Sequence, residues 1–296
     1  MPQPRWWFGP AYGLLGLPLA FVALPLYVVL PHHYATELGL PLASVGALLM
    51  LVRLLDAAAE PLLGRLSDRL YQGPLRGVLW AAGCSALVQV LGLSGLFFPT
   101  VQGPQALAVW MVAGLLLTCL AHSQLVIAHQ AWGVRLGGDA LQRSRVVAWR
   151  EGPGLIGVVT ASALSVAWGA GAMLVTFALS LLAGWLALWW APRPAAVLPG
   201  QALLAALPWA TVWQPLRQPA FRRLLAVFLC NGIASAIPAA LMLFFAQDRL
   251  QATQGQIALF LVLYFVSGAL SMPGWLRAVR RWGLERAWLG GMLLAV

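Results

Sequence analysis

The fold is decided by residues 51–69, which read LVRLLDAAAEPLLGRLSDR. Arg53, Asp56 and Glu60 are spaced three and four residues apart in an otherwise apolar run. A helix places residues at this spacing on one stripe, within about 60° of arc. Lipid does not solvate ionisable groups, so in a membrane-spanning helix this stripe is expected to face the interior of a bundle.

The chain as a whole has the composition of a membrane protein. Hydrophobic residues make up 61% of its 296 residues and charged residues 9%, whereas soluble proteins carry about 25% charged residues. The mean hydropathy is +0.83. Apolar stretches of about 20 residues, long enough to cross a ~30 Å hydrocarbon layer, recur along the sequence. We therefore predict an all-α, polytopic membrane protein and exclude a soluble fold.

The apolar stretches predict eight full transmembrane helices and the start of a ninth. We place the eight near residues 11–31, 43–64, 77–98, 106–133, 149–168, 171–191, 221–246 and 256–276. The ninth begins near Trp288, where too few residues remain for a span of ~20. We expect the chain to be a fragment of a twelve-helix protein.

Loops that are rich in arginine alternate along the sequence with loops that are poor in it. Loops with Arg69, Arg143, Arg217 and Arg281 fall on one side, and the opposite loops contain only Arg249. Arginine-rich loops stay in the cytoplasm, so the N-terminus is predicted to be cytoplasmic and the protein to lie in a bacterial inner membrane. The net charge of +10 does not indicate nucleic-acid binding, because the basic residues occupy alternate loops and not one face.

The longest joint, residues 192–220, is rich in proline and follows six helices. We interpret it as a cytoplasmic linker between a six-helix half, residues 1–191, and a partial second half, residues 221–296. A weak internal repeat supports two halves: Pro25, Gly39 and Pro61 recur at similar spacing as Pro238, Gly255 and Pro273. A parallel repeat of this kind is typical of major-facilitator transporters.

Two interpretations of the stripe on the second helix remain open. Arg53, Asp56 and Glu60 either form a cation or proton site in a water-filled cavity, or contain an Arg-Asp pair that only fixes helix packing. At the end of the same helix, Gly64, Asp68 and Arg69 lie in the string GRLSDR. Its carboxylate and arginines are expected to bridge to a neighbouring helix end, with a plain solvated loop as the alternative.

Three strings resemble one family. YGLLGLPLAFVALPLYVVLPHHYATELGLPLASVGALLMLVRLLDAAAEPLLGRLSDR is similar to the opening of glycoside-pentoside-hexuronide:cation symporters, the melibiose-carrier branch of the major facilitators. The resemblance continues in AWGVRLGGDALQRSRVVAWREGPGLIG and in NGIASAIPAALMLFFAQDRLQATQGQIALFLVLYFVSGALSMPGWLRAVRRWG. It implies a major-facilitator helical bundle, and GRLSDR resembles the loop signature that holds one conformation of such carriers.

The resemblance also implies roles for single residues. Asp56 and Glu60 match the family's cation carboxylates, and Arg53, Trp132 and Arg150 match its arginine beside that pair, its helix-four tryptophan and its helix-five arginine. The family's sugar-binding aspartates of helices one and four are replaced by alanine, at Ala20 and Ala128. These departures argue against sugar and sodium, and favour an amphipathic or anionic solute.

Further polar residues lie on the predicted helices four and seven. Gln124 and His129 are candidates for lining a solute cavity together with Trp132, and His129 is also a candidate proton relay. Asn231 is a candidate for the same cavity. The alternatives are a packed, hydrogen-bonded histidine and an asparagine that joins helices.

The main hypothesis is a secondary active transporter, a symporter coupled to a proton or monovalent cation through the helix-two carboxylates. The alternative is a non-transporting scaffold with the same fold. No nucleophile-base set or metal motif indicates an enzyme, and we expect no metal site and no cofactor. The expected partners are a small-molecule solute, the coupling ion and the lipid bilayer, with the protein as a monomer.

Overall fold

A computed structural model describes residues 8–195 and 214–294. Most of the predicted linker, residues 196–213, lies outside the described residues. The described ranges form helices and no strand, which confirms the all-α prediction. The helices are α1 Gly9–Thr36, α2 Leu42–Gln72, α3 Leu75–Phe97, α4 Pro104–Arg135, α5 Ala140–Ala167, α6 Gly169–Leu188, α7 Pro219–Phe244, α8 Gln254–Trp282 and α9 Leu284–Leu294.

Helices α1, α2, α3, α4 and α6 are long and apolar enough to cross a membrane, within the part of the chain that the structure describes. They have 20 to 32 residues each, and a span needs about 20. The structure thus has the several apolar spans of a polytopic membrane protein. The fuller count of eight spans and a partial ninth stays a prediction.

Several helix ends differ from the predicted positions: α1 ends at Thr36 and not near residue 31, α5 begins at Ala140 and not near residue 149, and α8 ends at Trp282 and not near residue 276. α2 was expected to end near residue 64 but runs to Gln72 and is capped by Gly73, so the helix continues past the apolar stretch that defined the predicted span. GRLSDR therefore belongs to the last turns of α2. The ninth helix begins at Leu284 and not near Trp288, because Gly283 has a φ of +83° that ends α8 there.

The described residues fall into two compact units, one with residues 8–195 and 269–294 and the other with residues 214–268. In the first unit, α4 packs against α2 and α3, and α1 packs against α5 and α6. Phe21 on α1 and Phe177 on α6 stack with ring centroids 5.8 Å apart. The division into two transporter halves joined by a linker stays a prediction.

Helix α1 is irregular along its length. It contains the α-helical segments Phe8–Gly13, Gly16–Phe21 and Leu30–Thr36, and a π-helical turn at Pro25–Val29. Its glycines allow close packing on α5, because a Cβ on Gly13 or Gly16 would collide with the backbone of Trp149 or Arg150. The π-turn widens the helix at Tyr27, and such turns occur frequently at functional sites.

Candidate functional site

Asp56 is the buried member of the ionisable stripe on α2. Its side chain is 5% exposed, and α2 packs closely against α4 at this level. The hydroxyl of Ser123 on α4 donates toward both carboxylate oxygens, Oδ1 at 3.0 Å and Oδ2 at 3.2 Å. A hydroxyl shared by both oxygens is a suitable partner for an ionised carboxylate, which only accepts hydrogen bonds.

Arg53 and Glu60 lie at the edges of the same stripe and are exposed. The guanidinium carbon of Arg53 lies 3.9 Å from the centroid of the Tyr27 ring, in the π-turn of α1. This distance is typical of a cation-π contact. The sequence predicted that all three side chains face the bundle interior, and among them the structure buries Asp56 alone.

Three residues of α4 and one of α3 extend the site beyond the residues selected from the sequence. Cys119 and Tyr27 interact electrostatically. His122 interacts electrostatically with Asp56 and Arg53, and its Nδ1 lies 3.0 Å from Nε2 of Gln89 on α3. We call this group the Asp56 cluster: Tyr27, Arg53, Asp56, Gln89, Cys119, His122 and Ser123.

One sequence signal indicates part of the Asp56 cluster. Cys119 and Ser123 are four residues apart in an apolar helix, so they share one face. Gln89 and His122 give no such signal, because they lie 33 residues apart in the sequence and on different helices.

Two of the predicted cavity residues of α4, His129 and Trp132, lie in another group, near its C-terminal end. His129 is buried and its Nε2 donates to the backbone oxygen of Tyr12 at 2.9 Å, while the Tyr12 hydroxyl donates to the His129 oxygen at 3.1 Å. Trp132 is 1% exposed, and its indole N–H donates to the Pro192 oxygen at 2.8 Å. Gln124 is buried, and neither of its amide atoms has a hydrogen-bond partner among the described residues.

A small apolar cavity of about 10 Å³ lies beside His129 and Trp132. Its walls also include side chains of α1, α3 and α6, namely Leu15, Val78, Leu79, Ala82 and Leu188. This volume is about that of one water molecule, so the cavity does not admit a solute.

The two alanines at the positions of the family aspartates make apolar or backbone contacts. A Cβ on Gly154 of α5 would lie 3.3 Å from the Ala20 methyl group, so α1 and α5 pack tightly there. Ala128 is buried, and its backbone oxygen accepts a hydrogen bond from the Tyr71 hydroxyl at 2.8 Å. Neither position supplies a carboxylate.

Arg150 and Asn231 belong to different compact units. Arg150 is half-buried on α5 and donates to Glu151 Oε1, from Nε at 3.0 Å and from Nη2 at 2.6 Å. Asn231 lies on α7, in the second compact unit. The first unit thus brings Arg53 and Asp56 into one cluster, and holds His129 and Trp132 in another.

At the end of α2, Asp68 forms an ion pair with Arg135 at the end of α4, with Nη2 and Oδ1 3.1 Å apart. The Arg135 guanidinium also lies 4.4 Å from the centroid of the Tyr71 ring. Arg69 is exposed, and a Cβ on Gly64 would meet nothing within 4 Å. The contact expected of GRLSDR is made here by Asp68.

His33, in the last turn of α1, pairs with Glu37, the residue that follows the helix, with Nδ1 and Oε2 2.8 Å apart. Across residues 8–195 and 214–294, no three His, Cys, Asp or Glu side chains are grouped closely enough to hold a metal ion.

Long apolar helices with a carboxylate buried between them define a multi-pass integral membrane protein. The family model described as MFS/sugar transport protein matches residues 11–296, so the chain belongs to this family of major-facilitator transporters. Its function is therefore transport of a small-molecule solute. No curated protein matches the chain.

Proposed function

We propose that the protein is a secondary active symporter that works by alternating access, with a proton or monovalent cation bound at the α2 carboxylates. The observation that carries the proposal is the burial of Asp56 in a membrane span. A carboxylate at this depth is costly, and such groups mark ion and proton pathways. The resemblance to melibiose-type carriers supports the same residue.

Asp56 and Glu60 have different roles in this proposal. They lie one helical turn apart, and two nearby carboxylates resist simultaneous ionisation. Arg53 is closer in sequence to Asp56, and Ser123 donates to Asp56, so Asp56 is the ionised member. Glu60 is exposed and is therefore the group that exchanges a proton with water.

A proton is the favoured coupling ion, because sodium requires several oxygen ligands and a proton requires one site. Ala128 removes the family's helix-four carboxylate, and its backbone oxygen is already bonded to Tyr71. We further propose an amphipathic or anionic solute, attracted by the guanidinium groups of Arg53 and Arg150. Ala20 and Ala128 leave the site less acidic than that of a sugar carrier.

The experiment is uptake of a panel of labelled solutes into vesicles that contain the full-length protein, with an imposed pH gradient or an imposed sodium gradient. The proposal expects accumulation driven by the pH gradient and lost in Asp56→Asn. Sodium-driven sugar uptake would contradict the choice of ion and solute. A protein that transports nothing under either gradient would contradict coupled transport.

A further inference from the structure

His122 lies on α4 between two polar surfaces. On the α3 side, Gln89 is 0% exposed and its Nε2 lies 3.0 Å from the Nδ1 of His122. On the α2 side, the charged groups that act on the imidazole are Asp56 and Arg53. Ser123, the next residue along α4, is hydrogen-bonded to Asp56. The imidazole is thus part of the site that holds the buried carboxylate.

We propose that His122 is a proton-binding residue of the Asp56 cluster and that Gln89 is its positioning residue. The role of this proton in transport rests on the coupled symport proposed above. The binding site itself follows from the arrangement of the three side chains.

The amide of Gln89 can hydrogen-bond to His122 in both protonation states of the ring. In the neutral state Nδ1 accepts from the amide N–H of Gln89, and the ring proton is on Nε2. When the ring gains a proton, both nitrogens become donors and Nδ1–H needs an acceptor. The Oε1 of Gln89 is buried without a hydrogen-bond partner in the described chain. A half-turn of the amide brings this oxygen to Nδ1, so the ring N–H gains an acceptor and the amide NH2 moves to the position that Oε1 occupies in the neutral state.

Two charged groups act on the His122 imidazole in opposite directions, since Asp56 favours a proton on the ring and Arg53 opposes it. Arg53 and an ionised Asp56 cancel, so a neutral His122 leaves the cluster without net charge. Protonation adds one positive charge near the Asp56 carboxylate, and the attraction offsets part of the cost of charging a buried ring. A bound sodium ion would add the same charge, but a protonated imidazole supplies it without metal ligands.

His129 provides an internal comparison on the same helix. It is buried, whereas His122 is half-buried, and it lies seven residues further along α4, which is about two turns. Its Nε2 is bonded to a backbone oxygen of Tyr12, and the charged group that acts on it is Arg150, a cation. Burial disfavours a charge on both rings, and the difference between them is the carboxylate of Asp56, which acts on His122 and has no described counterpart at His129. His122 is therefore expected to gain a proton at a higher pH than His129.

The test is a pH titration of the full-length protein, labelled with ¹⁵N-histidine and followed by long-range ¹H–¹⁵N correlation spectra in a detergent or nanodisc. The sequence has four histidines, so the signals of His122 are assigned by their loss in His122→Gln. Spectra are recorded from about pH 8 to about pH 4.5, the range in which histidines change charge.

The expected result is that His122 changes from a neutral tautomer to imidazolium while His129 stays neutral. At the lowest pH, the imidazolium fraction of His122 falls at least about twofold in Asp56→Asn, which removes the charge partner, and in Gln89→Leu, which removes the acceptor. A His122 that stays neutral in the unmodified protein throughout the range overturns the proposal. An unchanged imidazolium fraction in Asp56→Asn also overturns it.

Uptake under an imposed pH gradient, measured on the same preparations, separates this proposal from the symport proposal. If His122 titrates as expected but the unmodified protein shows no gradient-driven uptake, symport fails and the proton site stands. If uptake is gradient-driven but His122 remains neutral, the site proposal alone fails.

Discussion

The hydroxyl of Ser123 on α4 lies within hydrogen-bonding distance of both carboxylate oxygens of Asp56 on α2, at 3.0 and 3.2 Å. This contact joins two spans at the level of the buried charge. It also fixes the position of the carboxylate relative to His122, the residue that precedes Ser123. The predictions below begin with this pair.

Ser123→Ala is expected to destabilise the protein by about 1.5–3 kcal/mol, because it leaves a buried carboxylate without this donor. The measurement is the unfolding free energy of the protein in detergent. Ser180→Ala is the matched control, since the Ser180 hydroxyl donates only to its own helix, to the Phe177 oxygen at 2.8 Å. Equal effects of the two substitutions would contradict a special role for Ser123.

Glu60→Gln is expected to leave folding and membrane insertion intact, because it removes an ionisable group that is exposed and makes no described ion pair. It should abolish accumulation of solute against its gradient, while exchange down the gradient survives. Vesicle uptake under imposed pH and sodium gradients measures both. Glu285→Gln, in the first turn of α9, is the control and should accumulate solute normally. Unchanged accumulation in Glu60→Gln would favour a structural role for the α2 carboxylates.

Asp68→Arg is expected to abolish uptake with little loss of stability. The ion pair with Arg135 is partly exposed, and such pairs contribute only about 0–1 kcal/mol. Its proposed function is to hold the ends of α2 and α4 together in one conformation of the carrier. Reversing both charges, with Asp68→Arg and Arg135→Asp together, should restore part of the uptake. A double variant as inactive as the single one would count against this contact as a conformational latch.

Gly16→Ala is expected to destabilise the protein by about 1–3 kcal/mol, because the new methyl group would meet the backbone of Arg150 on α5. Gly46→Ala is the control, since a Cβ on Gly46 meets nothing within 4 Å. It should be neutral or slightly stabilising, by up to about 1 kcal/mol. Thermal unfolding in detergent compares the two. Equal midpoints would mean that α1 and α5 are not in tight contact.

The orientation prediction places the loop with Arg143 inside the cell and the loop with His32 outside. Single cysteines at these positions are introduced into a variant that lacks Cys84, Cys119 and Cys230. A membrane-impermeant thiol reagent on intact cells should label position 32 and not position 143. Labelling at position 143 without permeabilisation would reverse the topology.

Most of the fold was predictable because the hydrophobic effect acts on local sequence. Apolar stretches of span length indicate helices wherever they occur, and the structure has a helix at each predicted position within its described ranges. The position of the α2 end was not predictable in the same way. The predicted span followed the apolar stretch to residue 64, whereas the helix continues through the polar residues of GRLSDR to Gln72, where hydrophobicity gives no signal.

Less of the site was predictable, because its contacts join helices far apart in the sequence. The stripe spacing indicated Asp56, and the structure buries this residue. Trp132 was expected to line a solute cavity, but its ring is buried and its indole N–H donates to the oxygen of Pro192, 60 residues away. The sequence gives no local sign of such a partner, nor of the Gln89 amide that meets His122.

The Pro192 contact has a consequence for force transmission. Trp132 donates to the Pro192 oxygen, and the N–H of Ala195 donates to the Arg135 oxygen at 3.0 Å, so the chain leaving α6 is tied twice to the end of α4. The same helix carries His122 and Ser123 at the buried charge. If binding of the proposed coupling ion shifts α4, these two hydrogen bonds would move the chain that follows α6 directly.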